Sequence, residues 1–219
     1  MEQSPSEKLR TFFSNSKSSF YKKGEIVLRV GDARAGAFFV KKGYVKDSGF
    51  SVDGREFTLF IFKPNDLFSY NWIFNQTPNE HSFRAITDCV IHEKSREGVL
   101  LFLEQNPDVL FMIAQNVVRR MRGFTQRIEG IIFGSASERV SSIFYILGDR
   151  FGKPDAQGNQ VVIPIPFTQR DIAELIGLSR ETTSIEINKL INEEVIRRAS
   201  GYYIISKPKI LENMANLTT

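Results

Sequence analysis

Phe167 to Asn192 constrains this chain more than any other stretch. It reads Phe-Thr-Gln-Arg-Asp-Ile-Ala-Glu-Leu-Ile-Gly-Leu-Ser-Arg-Glu-Thr-Thr-Ser-Ile-Glu-Ile-Asn-Lys-Leu-Ile-Asn. Thr168 is a good N-cap, and Asp171 three residues later sets negative charge at the helix start. Ile172, Ala173 and Ile176 make a one-sided apolar stripe, and Gly177 can take the positive φ that ends the helix. Ser179 caps a second helix, in which Thr183, Ile187, Leu190 and Ile191 recur at helical spacing and are expected to pack inward. Two helices joined by a tight turn can lay the second helix in the major groove of DNA. An ordinary helical hairpin with a solvated polar face fits the same residues.

The outward face of the second helix holds Arg180, Glu181, Ser184, Ile185 and Asn188. The first four suit base reading: Arg forks onto guanine, Glu accepts from the cytosine amino group, Ser adapts, and an apolar tip meets a thymine methyl. Thr168, Gln169, Arg170, Ser179, Thr182 and Lys189 lie where phosphates are gripped. Downstream, Val195 to Ile205 reads as a hairpin turning at Ser200-Gly201. A hairpin there is a wing, and its Arg197, Arg198 and Tyr202 are further candidates for phosphate contact, Arg197 first. Charge gives little support, because residues 137–219 carry ten basic and ten acidic side chains. Affinity for an anionic duplex then has to come from a local basic face and two copies per site.

Upstream, residues about 18–105 alternate short strand-like runs with turn signals. Ile26-Val-Leu, Phe38-Phe-Val, Tyr44-Val-Lys, Phe57 to Phe62, Phe83 to Ile86 and Cys89-Val-Ile are the runs. They suggest a sandwich, roll or barrel. Most of the 19 phenylalanines fall in this half and are expected to fill its core, with a subset free to line an apolar pocket. Arg96 to Leu103 reads as a short helix, and Asn106-Pro107 starts a long one. In that helix Leu110, Ala114, Val117, Met121, Phe124, Ile128 and Ile131 alternate spacings of four and three, an a/d seam suited to a partner helix. A helix lying on its own β domain is the alternative. Arg119, Arg120 and Arg122 read as a solvated face. Gly134 to Ser137 reads as a hinge, followed by a helix over Ser137–Asp149.

The order of β domain, seam helix, hinge and winged hairpin resembles the cyclic-AMP receptor protein/FNR family of bacterial transcription regulators. The most specific part is Thr168 to Thr182, with support from Tyr21 to Asp32 and Phe38 to Gly43. The resemblance implies an α+β fold: an N-terminal β-roll of the cyclic-nucleotide-binding jelly-roll kind (residues 1–105), a dimerisation helix (106–133) and a winged helix-turn-helix (134–219). It implies a homodimer acting on a roughly palindromic duplex, with Arg180 and Glu181 on bases. The loop Pro154-Asp-Ala156 resembles a family surface that can touch RNA polymerase.

Two departures matter. The receptor branch has a second arginine where this chain has Ile185, so the operator should differ; Ser184 is closer to the FNR branch. Cyclic-nucleotide binders of the family hold the phosphate with a Gly-Glu pair followed by an Arg-Ser pair. Here Asn65-Asp-Leu67 and Asn79-Glu-His-Ser-Phe-Arg84 stand instead. Cyclic AMP is therefore not expected, and the effector is left unnamed. Phe68, Ser82, Arg84, Phe124 and Thr125 are the candidate lining of an effector pocket.

Other chemistry is sparse. One cysteine, Cys89, excludes an internal disulfide, an iron–sulfur cluster and a cysteine-held zinc. Its apolar run suggests an inert buried thiol. Two histidines, His81 and His92, lack metal-ligand spacing, and haem is not expected. No Gly-rich phosphate loop or nucleophile triad appears, so an enzyme is not expected. No run approaches a membrane span, and Met1 to Lys17 has no apolar signal segment, so the cytoplasm is expected. The alternative reading is a ligand-binding β-roll protein that works through protein contacts instead of DNA.

Overall fold

A computed structural model describes residues 3–32, 36–155 and 158–215. It has two compact units, Met1–Arg120 and Met121–Thr219.

The first unit opens with α1 (Pro5–Ser14), followed by β1 (Lys17–Tyr21), β2 (Ile26–Leu28), β3 (Gly36–Lys42), β4 (Val45–Phe50), β5 (Glu56–Phe62) and β6 (Leu67–Phe68). A π-turn over Asn71–Asn75 leads to β7 (Ser82–Ala85), β8 (Cys89–Ser95), α2 (Arg96–Gln105) and the start of α3 (Pro107–Phe133). The strands form two antiparallel four-stranded sheets, β1-β8-β3-β6 and β2-β7-β4-β5. Strand periodicity explains why β3 is apolar without alternation: it is buried on both faces. Phe38 and Val40 join Val27, Leu28, Val45, Phe62, Phe68, Phe83 and Ile91 in the core between the sheets. Ala37 and Phe39 point the other way, to Leu9 and Phe13 of α1, Val99 and Leu103 of α2, and Val109 and Ile113 of α3.

Helix α1 lies outside the elements the sequence pattern predicts. Its signal is local: Ser4 caps the helix, Glu7 returns the bond to the Ser4 backbone, and Pro5 opens the first turn. Strands β1 and β6, the π-turn and α7 are likewise additions made by the structure.

The second unit contains the rest of α3, then α4 (Ala136–Phe151), β9 (Lys153–Pro154), β10 (Val161–Val162), α5 (Gln169–Ile176), α6 (Arg180–Asn192), β11 (Ile196–Ala199), β12 (Tyr202–Ile205) and α7 (Pro208–Ala215). Its sheet runs β11-β12-β10-β9. Val140, Ile143, Phe144 and Leu147 of α4 meet a core that includes Ile172, Leu175, Ile187, Leu190, Tyr203 and Leu211, all nearly inaccessible.

Helix α4 begins slightly earlier than its pattern suggests, because Ser135 and Glu138 form a capping box. The expected hinge is thus reduced to Gly134-Ser135. It is also pinned: Arg139 Nη2 donates to Ile131 O at 2.8 Å and Nε to Gly134 O at 3.0 Å.

Candidate DNA-binding interface

The hairpin at α5–α6 is built by reciprocal capping. The Thr168 hydroxyl accepts from Asp171 N–H, and the Asp171 carboxylate accepts from the Thr168 amide at 2.7 Å and its hydroxyl. Gly177 ends α5 with φ 66°, and the amides of Gly177 and Leu178 both reach Ala173 O. Those bonds fold the chain back within two residues, so Ser179 can accept from Thr182 N at 3.0 Å and start α6. Thr183, Ile187 and Leu190 face inward, and Ile191 is half-buried.

That packing turns Arg180, Glu181 and Ile185 outward, with Ser184 half-buried between them. Ile185 is 57% exposed. The Arg180 side chain makes no hydrogen bond or ion pair among the described residues. Glu181's own N–H, then the Ser179 hydroxyl, hold its carboxyl below the usual range, so it is an acceptor at neutral pH. An exposed guanidinium, an ionised carboxylate, a hydroxyl and an apolar tip thus lie on one helix face.

Several residues expected to grip phosphates already have internal partners. Arg170 Nε reaches Glu174 at 3.0 Å, and Lys189 Nζ reaches Glu186 at 2.8 Å. Arg197 donates to Gln160 Oε1 at 2.9 and 3.3 Å. Ser179 and Thr182 share a hydroxyl bond at 3.0 Å, and Gln169 is half-buried. The wing turns at Ser200 (φ 50°) and Gly201 (φ 85°), the two left-handed residues a tight hairpin turn requires. Arg198 stacks over the Tyr203 ring at 5.3 Å, and Tyr202 is outward. The Pro154–Ala156 loop lies partly outside the described residues.

The seam residues split the faces of α3. Val109, Ile113 and Arg120 are buried, whereas Leu110, Ala114, Met121, Ile128 and Ile131 are exposed or nearly so and Val117 and Phe124 half-buried. Met121 is 53% exposed, so a continuous apolar stripe is left uncovered in the single chain.

Arg120 corrects the expected solvated face. It is buried, pairs with Asp66 at 2.9 Å, donates to the Tyr70 hydroxyl at 3.1 Å and lies over the Phe62 ring at 4.7 Å. The sequence could not show this, because Arg119 and Arg122 beside it look the same and Asp66 is remote in the chain.

The residues expected to line an effector pocket do not meet as an open set within the roll. Phe68 is fully enclosed by Phe38, Phe62 and Phe83. Ser82 donates to Ser48 O at 3.2 Å, and Arg84 Nη1 to Gly24 O at 2.9 Å. Phe124 and Thr125 belong to the second unit, where the Thr125 hydroxyl donates to Met121 O.

Nearby, Lys46 and Glu56 form a buried ion pair at 2.9 Å, which with the Ser48 hydroxyl keeps the Glu56 carboxyl below the usual range despite burial. Asp47 is buried with Oδ1 lacking a hydrogen bond, and burial pushes its carboxyl up to about 7. His81 Nδ1 lies 3.5 Å away. Cys89 is buried, with its Sγ near Tyr44 O and Thr87 O, and burial raises its thiol. Among the described residues no group of three or more His, Cys, Asp or Glu is placed to hold a metal ion, and no helix is long and apolar enough to cross a membrane.

Two family models match the chain: a cyclic nucleotide-binding domain over residues 19–106 and a Crp-like helix-turn-helix domain over 138–214. The "CRP-like cAMP-activated global transcriptional regulator" of Mycobacterium tuberculosis is 26% identical over 195 residues, 89% of this chain and 86% of that protein. The "cAMP-activated global transcriptional regulator CRP" of Salmonella typhimurium is 22% identical, over 90% of this chain and 92% of its own. The solved structure of FixK2 from Bradyrhizobium japonicum superposes with a TM-score of 0.77 at 18% identity, covering 93% of this chain and 99% of that one.

Proposed function

Because the chain belongs to the cyclic-AMP receptor protein/FNR family of DNA-binding transcription regulators, we propose that it binds a roughly palindromic duplex as a homodimer. The α3 stripes pair two chains, and each α6 enters a major groove, with half-sites separated by one helical turn, about 34 Å. Arg180, Glu181, Ser184 and Ile185 meet base edges. Thr168, Gln169, Arg170, Ser179, Thr182, Lys189 and Arg197 grip the backbone, and the internal partners of Arg170, Lys189 and Arg197 exchange for phosphates at exposed positions. The role is non-enzymatic and cytoplasmic.

One observation carries this reading: an exposed isoleucine, an exposed guanidinium and an ionised carboxylate share the outward face of a helix that is otherwise well packed. A selection from random duplexes tests it. The expected outcome is a twofold-symmetric consensus, with preference at one base pair per half-site lost in Arg180→Ala. A random outcome, or a consensus unchanged in that variant, refutes it.

Two relatives carry cyclic-AMP activation in their names. In this chain the Asp66 carboxylate is engaged by Arg120 and Glu56 by Lys46, so these polar groups of the roll already satisfy one another. We propose that regulation does not run through cyclic AMP. DNA affinity should stay unchanged on titration with the nucleotide, and a rise on titration refutes this.

A further inference from the structure

A guanidinium of the long helix bonds the helical hairpin. Arg127 of α3 donates from Nε at 2.9 Å and from Nη2 at 2.7 Å to the carbonyl of Leu175, 48 residues away. Leu175 stands in the last turn of α5, where carbonyls have no partner within the helix. The turn amides of Gly177 and Leu178 are committed to Ala173 O, so they do not serve Leu175. The negative end of α5 favours a cation there, and both bonds are charge-assisted. Burial, then Arg150, lowers the Arg127 guanidinium to about 10, so it keeps its charge across the physiological range.

Two features make this a lever as well as a packing contact. Only Ile176 to Ser179 separates the clamped carbonyl from the first turn of α6, and that stretch is held by the Gly177 turn and the Ser179 cap. There is little slack between clamp and recognition helix. Arg127 also neighbours Phe124, Ile128 and Ile131 of the apolar stripe on α3, the last two of them exposed. The same stretch therefore faces the second chain on one side and holds the reading hairpin on the other. We propose that Arg127 is a positioning residue for DNA recognition, fixing the start of the recognition helix to the pairing helix and so setting the distance between the two reading heads. The inference rests on the homodimer reading above.

The test uses the full chain and palindromes whose half-sites are moved apart in single base-pair steps, beside a duplex carrying one half-site. Wild type should prefer one spacing by about tenfold or more, as expected when the second head binds within the same complex. In Arg127→Met the preferred palindrome should lose about that factor and the spacing optimum should flatten, while half-site affinity changes less than about twofold. Arg127→Lys, which keeps the charge and one donor, should fall between the two.

Circular dichroism monitors the fold, and Arg127→Lys keeps the test open if the Arg127→Met protein is poorly folded. A variant that keeps the wild-type spacing optimum overturns the proposal. So does parallel loss of palindrome and half-site binding, which marks a merely structural role. A wild-type protein with no spacing preference overturns the homodimer reading itself, and the proposal with it.

Discussion

Replacing Asp47 by Asn should change how the stability of the N-terminal unit depends on pH. The Asp47 side chain lies on β4 with Oδ1 unbonded, and burial alone raises its carboxyl from 3.8 to about 7. The folded protein therefore holds a proton that the unfolded chain releases. Stability from this group is fully present below pH 3.8 and is lost as pH rises through about 7. At about 1.4 kcal/mol per pH unit, the whole interval is worth about 4 kcal/mol. Roughly half of that, about 2 kcal/mol, is lost between pH 5.5 and 8. His81 Nδ1 lies 3.5 Å from Asp47 Oδ1.

The chain's one tryptophan, Trp72, sits in the π-turn of the same unit, so its fluorescence reports unfolding there. In urea, with m of about 1–3 kcal/mol per molar, the wild-type midpoint should drop by about 1 M between pH 5.5 and 8 relative to Asp47→Asn. At pH 5.5 the amide has no advantage and can be the weaker occupant, since its own donors need partners. Parallel midpoints in the two proteins across that interval would show that Asp47 is solvated, and the reasoning would fail.

Other outcomes follow from the same geometry. Asp66→Asn leaves the Arg120 guanidinium buried without its carboxylate and should cost about 3 kcal/mol in the same urea experiment; a cost under about 0.5 kcal/mol would place the pair in water. Arg180→Ala should weaken operator binding by about 1–3 kcal/mol in a titration and relax one base pair, whereas a uniform loss across all sequences would reassign it to phosphate. Met121→Asp puts a charge into the apolar stripe of α3 and should shift sedimentation from dimer to monomer; an unchanged sedimentation coefficient would exclude α3 as the pairing surface. Thr168→Ala removes a reciprocal cap and should cost the C-terminal unit about 1 kcal/mol of stability, read as a lower melting point.

What can be read from the chain is whatever is local and periodic. The α5–α6 hairpin is legible because caps, a left-handed glycine and an inward stripe all fall within 26 consecutive residues, 167–192. The α3 stripe is legible because its spacing repeats, and most strands because their apolar runs sit between turn residues. Helix α1 carries its signal in Ser4, Pro5 and Glu7, but a short polar segment at the start of a chain offers too little apolar pattern to show what it packs on. The effector lining is not legible: a phenylalanine that fills a core and one that lines a cavity have the same composition, and Phe68 is enclosed by other rings.

The sequence by itself determined the modules and the chemistry of the outward face of α6, since propensity, capping and hydrophobic period act between near neighbours. Tertiary structure alone decided which charges are spent internally. Arg120 meets Asp66 and Arg127 meets Leu175 O, both remote in the chain, while Arg180 makes no ion pair among the described residues. All three look alike in a string of letters. Charged side chains carry no period, and their partners are chosen by folding, which brings remote groups together where water is scarce and an unpaired charge is costly.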